Sequence, residues 1–246
     1  MKILAIIPAR MGSSRFPGKP LALINNKPMI GHVYENISEC KILNRTVVAT
    51  CDQEIKEYIT SIGGEAVMTS NLHERASDRA AEALVFLEKK YKTKYDIVVM
   101  VQGDEPMTEA KMIEEALRPM IEDPSINVVN LVAKIKDSNE FFDKNCIKVV
   151  MDKNEDALYF SREPIPHQNH KNHIQMNKQV CVIPFKRKFL FDYQNMDPTP
   201  LEIAESIDMM RVLENGFKVR MVPTSYNTHA VDTEDDLKKV EKLMAK

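Results

Sequence analysis

The sequence predicts an α/β protein with an open, mainly parallel central sheet. One observation is a series of short, almost wholly apolar runs, which are typical of strands buried on both faces. The other is that segments of helical periodicity alternate with these runs, as they do when helices cover a parallel sheet. The chain has 246 residues, of which 43% are hydrophobic and 28% charged. This composition argues against disorder and allows one domain over residues 1–246.

Strands and helices alternate regularly in the first half of the chain. Strands are predicted at 3–7, 46–51, 66–68 and 96–101, with a further apolar segment at 128–135. Helices are predicted at 29–40, 53–62, 77–90 and 109–121. We expect Asp52 and Thr108 to cap the second and fourth of these helices, since short side chains with an acceptor oxygen are preferred there. Gly63 is expected to end the second helix.

The second half of the chain has a less regular pattern. A hairpin is predicted from two apolar runs, 146–151 and 157–160, and a polar, histidine-rich loop follows at 164–178. The segment 180–185 is expected to be extended, and a helix is expected to run from Pro200 to Asn215 and Gly216. A last strand at 217–222 precedes a closing helix at 233–246 that Thr233 can cap.

The distribution of charge restricts the classes of function. The net charge of −2 gives no general reason to expect binding to nucleic acid, so any anion site has to be local. The first 34 residues nevertheless contain no Asp or Glu and carry five cations: Lys2, Arg10, Arg15, Lys19 and Lys27. A local anion site is therefore expected near the amino terminus.

The apolar segments and the cysteines point to a cytoplasmic protein. No segment reaches the roughly 18 apolar residues of a membrane helix, and Arg10 interrupts the first apolar run, so no signal peptide is expected. The cysteines are widely spaced, which fits free thiols in a reducing compartment; they are Cys40, Cys51, Cys146 and Cys181. We expect neither a membrane nor a nucleic-acid partner.

The loop at 8–20, PARMGSSRFPGKP, is the strongest candidate site. It follows a buried strand, which is where open α/β sheets bind ligands. Glycine and serine let backbone N–H groups approach an anion, and Arg10, Arg15 and Lys19 add charge and donors. The loop is neither a Walker A sequence nor GxGxxG. A solvated basic loop remains the alternative interpretation.

Two aspartates follow predicted strands and are candidate ligands of a hard cation. Asp104, in VQGDEP, comes directly after the strand at 96–101, and Asp232 follows the last strand in VDTEDDL. Mg²⁺ prefers carboxylate and phosphate oxygens. A simple turn-capping role for Asp104 is the alternative, and Thr233 with its acidic followers suits a helix start.

These segments together resemble the cytidylyltransferases that activate 3-deoxy-manno-octulosonate (Kdo) and related sugar acids as CMP-sugars. The resemblance covers nearly the whole chain. The motifs occur in family order: IPARMGSSRFPGKPL from Ile7, KPMIGHV at 27–33, VQGDEP at 101–106, IKVVMD at 147–152, ALYFSREPIP at 157–166, TPLE at 199–202 and VDTEDDL at 231–237. The combination is far more specific than any single motif.

The resemblance implies a Rossmann-like nucleotidyltransferase fold with a smaller acceptor and dimerisation subregion. It implies a nucleotide-binding part over about 1–135, an acceptor and dimerisation part over about 136–230, and a homodimer. It also implies CTP and Mg²⁺ as requirements and a small anionic acceptor. The reaction would transfer CMP from CTP to a sugar acid of the Kdo type and release pyrophosphate.

Carried over residue by residue, the resemblance assigns these roles. Lys19, Arg15 and Asp104 would be catalytic, and Asp104 and Asp232 would hold the metal. The nucleotide would meet Arg10, Ser13, Ser14, Arg15, Lys19, Arg75, Ser77, Arg79 and Gln102. The acceptor would meet Gln102, Arg162, Gln179, Ile183, Asp208 and Met209, with Arg162 on its carboxylate.

Departures from the family pattern fall on the acceptor side. Gln179 and Ile183 stand within a stretch where Kdo enzymes usually show histidine and tyrosine, and Asp208-Met209 replaces a Glu-Gln pair. Arg75-Ala76-Ser77 replaces Ser-Gly-Thr, so Arg75 could be a new cation that binds an additional anionic group. A site that loses hydroxyl-binding partners loses affinity, by about 1–3 kcal/mol per unpaired group. We therefore hypothesise an acceptor other than Kdo itself.

Other interpretations remain open. A cytidylyltransferase for a phosphorylated acceptor and a non-catalytic nucleotide-binding relative are the alternative functions. Three histidines, His167, His170 and His173, have a spacing that could suggest zinc, but no cysteine or acidic partner frames them, and a polar loop is favoured.

Overall fold

A computed structural model describes residues 1–13, 15–168, 175–226 and 228–245. Twelve strands lie in these ranges: β1 Ile3–Ala9, β2 Leu23–Ile24, β3 Lys27–Pro28, β4 Arg45–Thr50, β5 Ala66–Met68, β6 Ile97–Val101, β7 Val129–Lys134, β8 Lys148–Met151, β9 Ala157–Ser161, β10 Asn177–Val180, β11 Val182–Lys186 and β12 Arg220–Thr224. The same ranges contain nine α-helices: α1 Met29–Ser38, α2 Gln53–Ser61, α3 Ala76–Tyr91, α4 Ala110–Glu122, α5 Ser138–Phe142, α6 Arg187–Gln194, α7 Pro200–Glu205, α8 Asp208–Glu214 and α9 Glu234–Met244.

The first sheet has the strand order β11-β6-β1-β4-β5. Strands β1, β4, β5 and β6 are parallel, and β11 pairs with β6 in the antiparallel direction. Alternate residues of β1 enter two different cores: Leu4 and Ile6 pack with α3, α6 and α8, while Ile3, Ala5 and Ile7 pack with α1, α2 and α4. The predicted mainly parallel sheet covered by helices is therefore confirmed, and its apolar strands are buried because both faces are covered.

The second sheet is mixed and was not predicted as a separate unit. Its order is β12-β7-β10-β8-β9, in which only β12 and β7 are parallel. The predicted extended segment 180–185 divides at Cys181, because β10 belongs to this second sheet and β11 to the first. Cys181 thus lies where the chain passes from one sheet to the other.

Several local predictions were wrong for identifiable reasons. The single helix predicted from Pro200 is broken into α7 and α8, because Ser206 adopts a left-handed conformation with φ of 53°. The fourth helix begins after Glu109 rather than Thr108. Asp52 does precede α2, but its side chain makes no capping hydrogen bond. Helices α5 and α6 and the β2–β3 hairpin had not been predicted.

Two other predicted helix boundaries are confirmed. Gly63 ends α2 with φ of 78°, a conformation that glycine adopts without strain. The Thr233 hydroxyl accepts a hydrogen bond from the backbone N–H of Asp236, as a capping box requires. Within the described ranges, no helix is both long enough and apolar enough to cross a bilayer.

Candidate functional site

The loop after β1 meets the end of β6 because the two strands are parallel neighbours. Ile3 pairs with Ile97 and Ile6 with Met100, so the carboxyl ends of both strands lie at one edge of the sheet. Gly103 allows the close approach: a Cβ there would lie 3.0 Å from the carbonyl oxygen of Pro8 and 3.0 Å from Cδ1 of Ile30. The strand order therefore brings the basic loop and Asp104 together.

The basic loop is organised around the backbone of Met11. Its carbonyl oxygen accepts hydrogen bonds from the N–H groups of Ser13 and Gly18, both at 3.0 Å. Its own N–H donates to Oδ2 of Asp52 at 2.8 Å. Asp52 does not cap α2, so its carboxylate is available to anchor the loop. Gly18 reverses the chain with φ of 74°, a conformation that suits glycine.

Four charged side chains from three segments meet beyond the two strands. Nζ of Lys19 lies 2.7 Å from Oδ2 of Asp104 and 3.4 Å from Oδ1 of Asp232. Nη2 of Arg15 lies 2.8 Å from the same Asp232 oxygen. The backbone N–H of Val231 donates to the carbonyl of Asp104 at 2.9 Å and so fixes the two aspartates side by side. We call these four residues the charge cluster.

Burial and neighbouring charges shift pKa values in and beside this cluster, in opposite directions at Lys19 and in the same direction at Glu105. Burial lowers the pKa of Lys19, but the carboxylates of Asp104 and Asp232 outweigh it, so the pKa is raised overall. Burial, reinforced by the neighbouring charge of Asp104, raises the pKa of Glu105 to about 7. Oε2 of Glu105 is buried without a hydrogen-bond partner among the described residues.

A first cleft lies on the loop side of the charge cluster. Its lining comprises Arg10, Ser13, Arg15, Lys19, Arg75, Arg79, Gln102 and Asp104, together with His73, Glu74 and apolar neighbours. Arg10 is exposed, whereas Arg79 is buried and donates to the carbonyl oxygen of Ser70 at 3.2 Å. Arg79 thus shapes the wall of the cleft from within. Ser14 lies outside the described residues.

A second cavity lies on the other side of the cluster. Arg15, Gln102 and Asp104 line it as well as the first cleft, so the two spaces share the wall that carries the charges. Arg162, Gln179, Ile183 and Asp208 also line it. Met209, by contrast, is fully buried in the hydrophobic core and lines neither space. The structure thus brings most of the expected acceptor residues into one cavity.

Arg162 is engaged by backbone carbonyls in this cavity. Its Nε donates to the Glu205 oxygen at 2.7 Å, Nη1 to that of Lys144 at 2.9 Å and Nη2 to that of Ser206 at 3.3 Å. A guanidinium has five N–H groups, so two remain for a ligand. Arg162 therefore holds the cavity wall in addition to any role in binding.

A buried lysine, which the sequence analysis did not single out, supports the same wall. Lys148 is fully buried, and its Nζ donates to the carbonyl oxygens of Asp143, Cys146 and Arg162 at 2.5–2.8 Å. The segment thus held carries Asn145, whose side-chain oxygen accepts a hydrogen bond from Arg15. A charged residue within the apolar IKVVMD strand was the signal that could have revealed it.

Asp208 and Gln179 have partners within the protein. Oδ1 of Asp208 accepts from Nη1 of Arg75 at 3.2 Å, and its Oδ2 accepts from the fully buried Ser77 hydroxyl at 3.1 Å. Burial raises the pKa of Asp208, and Arg75 and Ser77 oppose that rise. The Gln179 amide donates to the side-chain oxygen of the buried Asn130. These contacts restrict how the two side chains can meet a ligand.

The donor set fits a magnesium ion better than zinc. Among the described residues, no group of three or more His, Cys, Asp or Glu side chains could hold a metal by itself. Asp104 and Asp232 offer two adjacent carboxylates, and Mg²⁺ is usually held by one or two carboxylates together with substrate phosphates. His167 is exposed, and His170 and His173 lie outside the described residues.

Comparisons with known proteins agree with this geometry. The family model described as cytidylyltransferase matches residues 4–221. The chain is 44% identical to the 3-deoxy-manno-octulosonate cytidylyltransferase of Geobacter metallireducens, with 99% of this chain and 98% of that protein covered. It is 38% identical to the protein of the same name from Thermodesulfovibrio yellowstonii, with 99% and 98% covered.

Solved structures give the same result. A structure described as CMP:2-keto-3-deoxy-manno-octonic acid synthetase complexed with CTP is 37% identical and superposes with a TM-score of 0.89, covering 100% of this chain and 99% of that one. A cytidylyltransferase from Leptospira borgpetersenii is 17% identical with a TM-score of 0.65, covering 100% and 87%, and shows a shared fold alone.

The anchoring of the loop by Asp52 can be tested by amide hydrogen exchange. Asp52→Ala removes the acceptor of the Met11 N–H, so we expect amides at 10–18 to exchange about tenfold faster, as the loss of one hydrogen bond of roughly 1.4 kcal/mol implies. Asp52→Asn keeps an oxygen acceptor and should retain most of the protection. Equal exchange in wild type and Asp52→Ala would show that the loop does not depend on this contact.

Proposed function

This chain belongs to the cytidylyltransferase family, and on that premise we propose that it transfers CMP from CTP to 3-deoxy-manno-octulosonate and releases pyrophosphate. The observation that carries the proposal is the charge cluster. Cations of the basic loop and two adjacent carboxylates meet at the shared wall of two ligand-sized spaces. The first cleft suits the nucleotide, and the second cavity suits the acceptor.

The side chains of the cluster suit a phosphoryl transfer. A hydroxyl oxygen of the acceptor forms the bond to the α-phosphorus and gives up its proton to solvent. The bond from that phosphorus to the bridging oxygen breaks, and pyrophosphate leaves. Arg15 and Lys19 stand on the loop beside the first cleft, where their charges can neutralise the leaving group. Because Arg15 also lines the second cavity, the protein can orient both reactants with one wall.

Asp104 and Asp232 are the residues that would hold Mg²⁺. When bound, the ion would supply positive charge that stabilises the negative charge developing in the transition state. The backbone bond from Val231 to Asp104 holds the two carboxylates in register, so the protein supplies them as a preformed pair. Glu105 beside them is buried, and its raised pKa favours the neutral carboxyl, so it adds little charge of its own.

The acceptor is proposed to be Kdo because relatives that match the full length of the chain are named for it. The hypothesis of a different sugar acid becomes the second candidate. It is favoured by one observation: Asp208 is paired inside the protein and Met209 is buried, so neither offers hydroxyl recognition freely. The complete charge cluster disfavours a non-catalytic relative, because a protein that only binds a nucleotide does not need the two adjacent carboxylates.

Pyrophosphate release with CTP and Mg²⁺ tests the proposal. With Kdo as acceptor, we expect turnover in wild type and a loss of more than about 100-fold in Asp104→Asn, since one of the two metal carboxylates loses its charge. Asp235→Asn is the matched control, because the Asp235 side chain is almost fully exposed and lies at the start of α9, the helix that follows Asp232. Faster release with another keto-sugar acid than with Kdo would favour the second candidate. Near-normal release by Asp104→Asn would remove the metal role.

We also propose that the protein is a homodimer that pairs through its second sheet. Strand β9 is the edge of that sheet and exposes Leu158, while α7 exposes Ile203. Glu205, which ends α7, accepts hydrogen bonds from Tyr159 and Ser161 of β9, so the carboxyl end of the helix is joined to the strand. An edge strand with exposed apolar side chains is a ready surface for pairing with another chain.

Sedimentation velocity tests the dimer. The wild type is expected at twice the chain mass, and Leu158→Asp is expected as a monomer, because a charge would be buried at the interface. Leu72→Asp is the control, since Leu72 is 84% exposed and lies near the edge of the other sheet. A monomeric wild type would overturn the proposal.

A cytoplasmic location is proposed as well, because all four cysteines are free thiols. Recovery of the protein from a periplasmic fraction rather than a cytoplasmic one would contradict it.

A further inference from the structure

Two of the departures from the family sequence pattern meet in the structure. Arg75 and Asp208 are 133 positions apart, yet Nη1 of Arg75 lies 3.2 Å from Oδ1 of Asp208. Arg75 precedes α3 and lines the first cleft, whereas Asp208 begins α8 and lines the second cavity. The pair therefore spans the partition between the two spaces.

Both carboxylate oxygens of Asp208 already have a partner within the protein. One of its oxygens accepts from Arg75 and the other from the hydroxyl of Ser77, which is fully buried. The Asp208 side chain is 17% exposed. A carboxylate oxygen can accept a second bond, but both donors of Asp208 come from the start of α3, so its charge is already shared with the guanidinium of Arg75.

Arg75 is the open member of the pair. Its guanidinium lies beside two carboxylates. Nη1 contacts Asp208, and Nε lies 3.7 Å from Oε1 of Glu202. Glu202 is fully buried and is fixed in turn by Arg211 at 2.6 Å. Among the described residues, Nη2 of Arg75 has no hydrogen-bond partner, and the side chain is 25% exposed at the first cleft. A guanidinium held in this way is a preorganised donor for an anionic oxygen.

We propose that Asp208 is a positioning residue for the nucleotide, which it serves by holding Arg75 so that the guanidinium donates to a phosphate of CTP. Asp208 would then not be a hydroxyl-binding residue of the acceptor cavity. This inference rests on the proposed function, because it takes CTP as the ligand of the first cleft. Arg75 would accordingly determine nucleotide affinity, and Asp208 would act on that affinity through Arg75.

Calorimetric titration of CTP in the absence of acceptor separates the two roles. Arg75→Ala is expected to weaken CTP binding by about 10- to 100-fold, the range for a charge-assisted hydrogen bond to a phosphate. Asp208→Asn is expected to weaken it by about 3- to 10-fold, since the guanidinium loses an anchor and keeps its donors. The double variant should bind no more weakly than Arg75→Ala, because both changes act on one interaction.

Steady-state kinetics supply the second readout. At saturating CTP, the acceptor KM of Asp208→Asn is expected within about twofold of the wild-type value, because the carboxylate does not contact the acceptor. Asp192→Asn, on the surface of α6, is the control and should change neither quantity. Arg75→Ala changes a partly exposed side chain, so its titration remains informative if Asp208→Asn does not fold.

The opposite pattern overturns the inference. An unchanged CTP affinity in either Arg75→Ala or Asp208→Asn, or a raised acceptor KM with normal CTP binding in Asp208→Asn, would return Asp208 to the acceptor. A wild type that binds no CTP would overturn the proposed function itself, which is a different result from either of these.

Discussion

The charge cluster of Lys19, Arg15, Asp104 and Asp232 is the interaction on which the site depends. Each member comes from a segment that the fold brings to one edge of the first sheet: the loop after β1, the end of β6 and the turn before α9. Without the parallel pairing of β1 and β6, the cations and the carboxylates would not meet. A cluster of this kind has a function because each charge can exchange its partner for a phosphate or a metal ion at similar distance.

The surrounding structure holds this cluster by burying charge elsewhere. Lys148 and Arg162 donate to backbone carbonyls and fix the segment that carries Asn145, which in turn accepts a hydrogen bond from Arg15. On the opposite wall, Glu202 and Arg211 form a buried ion pair behind Arg75. Buried charges are costly unless they are paired or hydrogen-bonded, as each of these is, so their value lies in orientation rather than in net stability.

The sequence predicted the first sheet well because its strands are continuous apolar runs, as β1 and β6 illustrate. It also predicted the β8–β9 hairpin and strand segments near β7 and β12, but not that they form a separate sheet. The strand β10, which joins them, is short and mostly polar, so that period and propensity carry little information there. The break between α7 and α8 depends on a left-handed Ser206, a conformation that serine rarely adopts. Likewise, the carboxylate of Asp52 binds a loop 41 residues away, which no local rule could show.

The residues of the site divide in the same way, into those that local sequence reveals and those that depend on tertiary packing. Motifs located Arg15, Lys19, Asp104 and Asp232, because strand ends are local features, and the structure brings all four together. The partners of Asp208 and the burial of Met209 could not be read from the sequence, because they depend on how α8 packs against α3 and the core.

Anomalous diffraction from crystals grown with CTP and Mn²⁺ tests directly whether the charge cluster binds both the metal and the triphosphate. We expect a manganese peak bound by the carboxylates of Asp104 and Asp232, with Lys19 and Arg15 donating to phosphate oxygens. A peak held by other residues, or a triphosphate bound away from the loop at 10–19, would contradict this expectation.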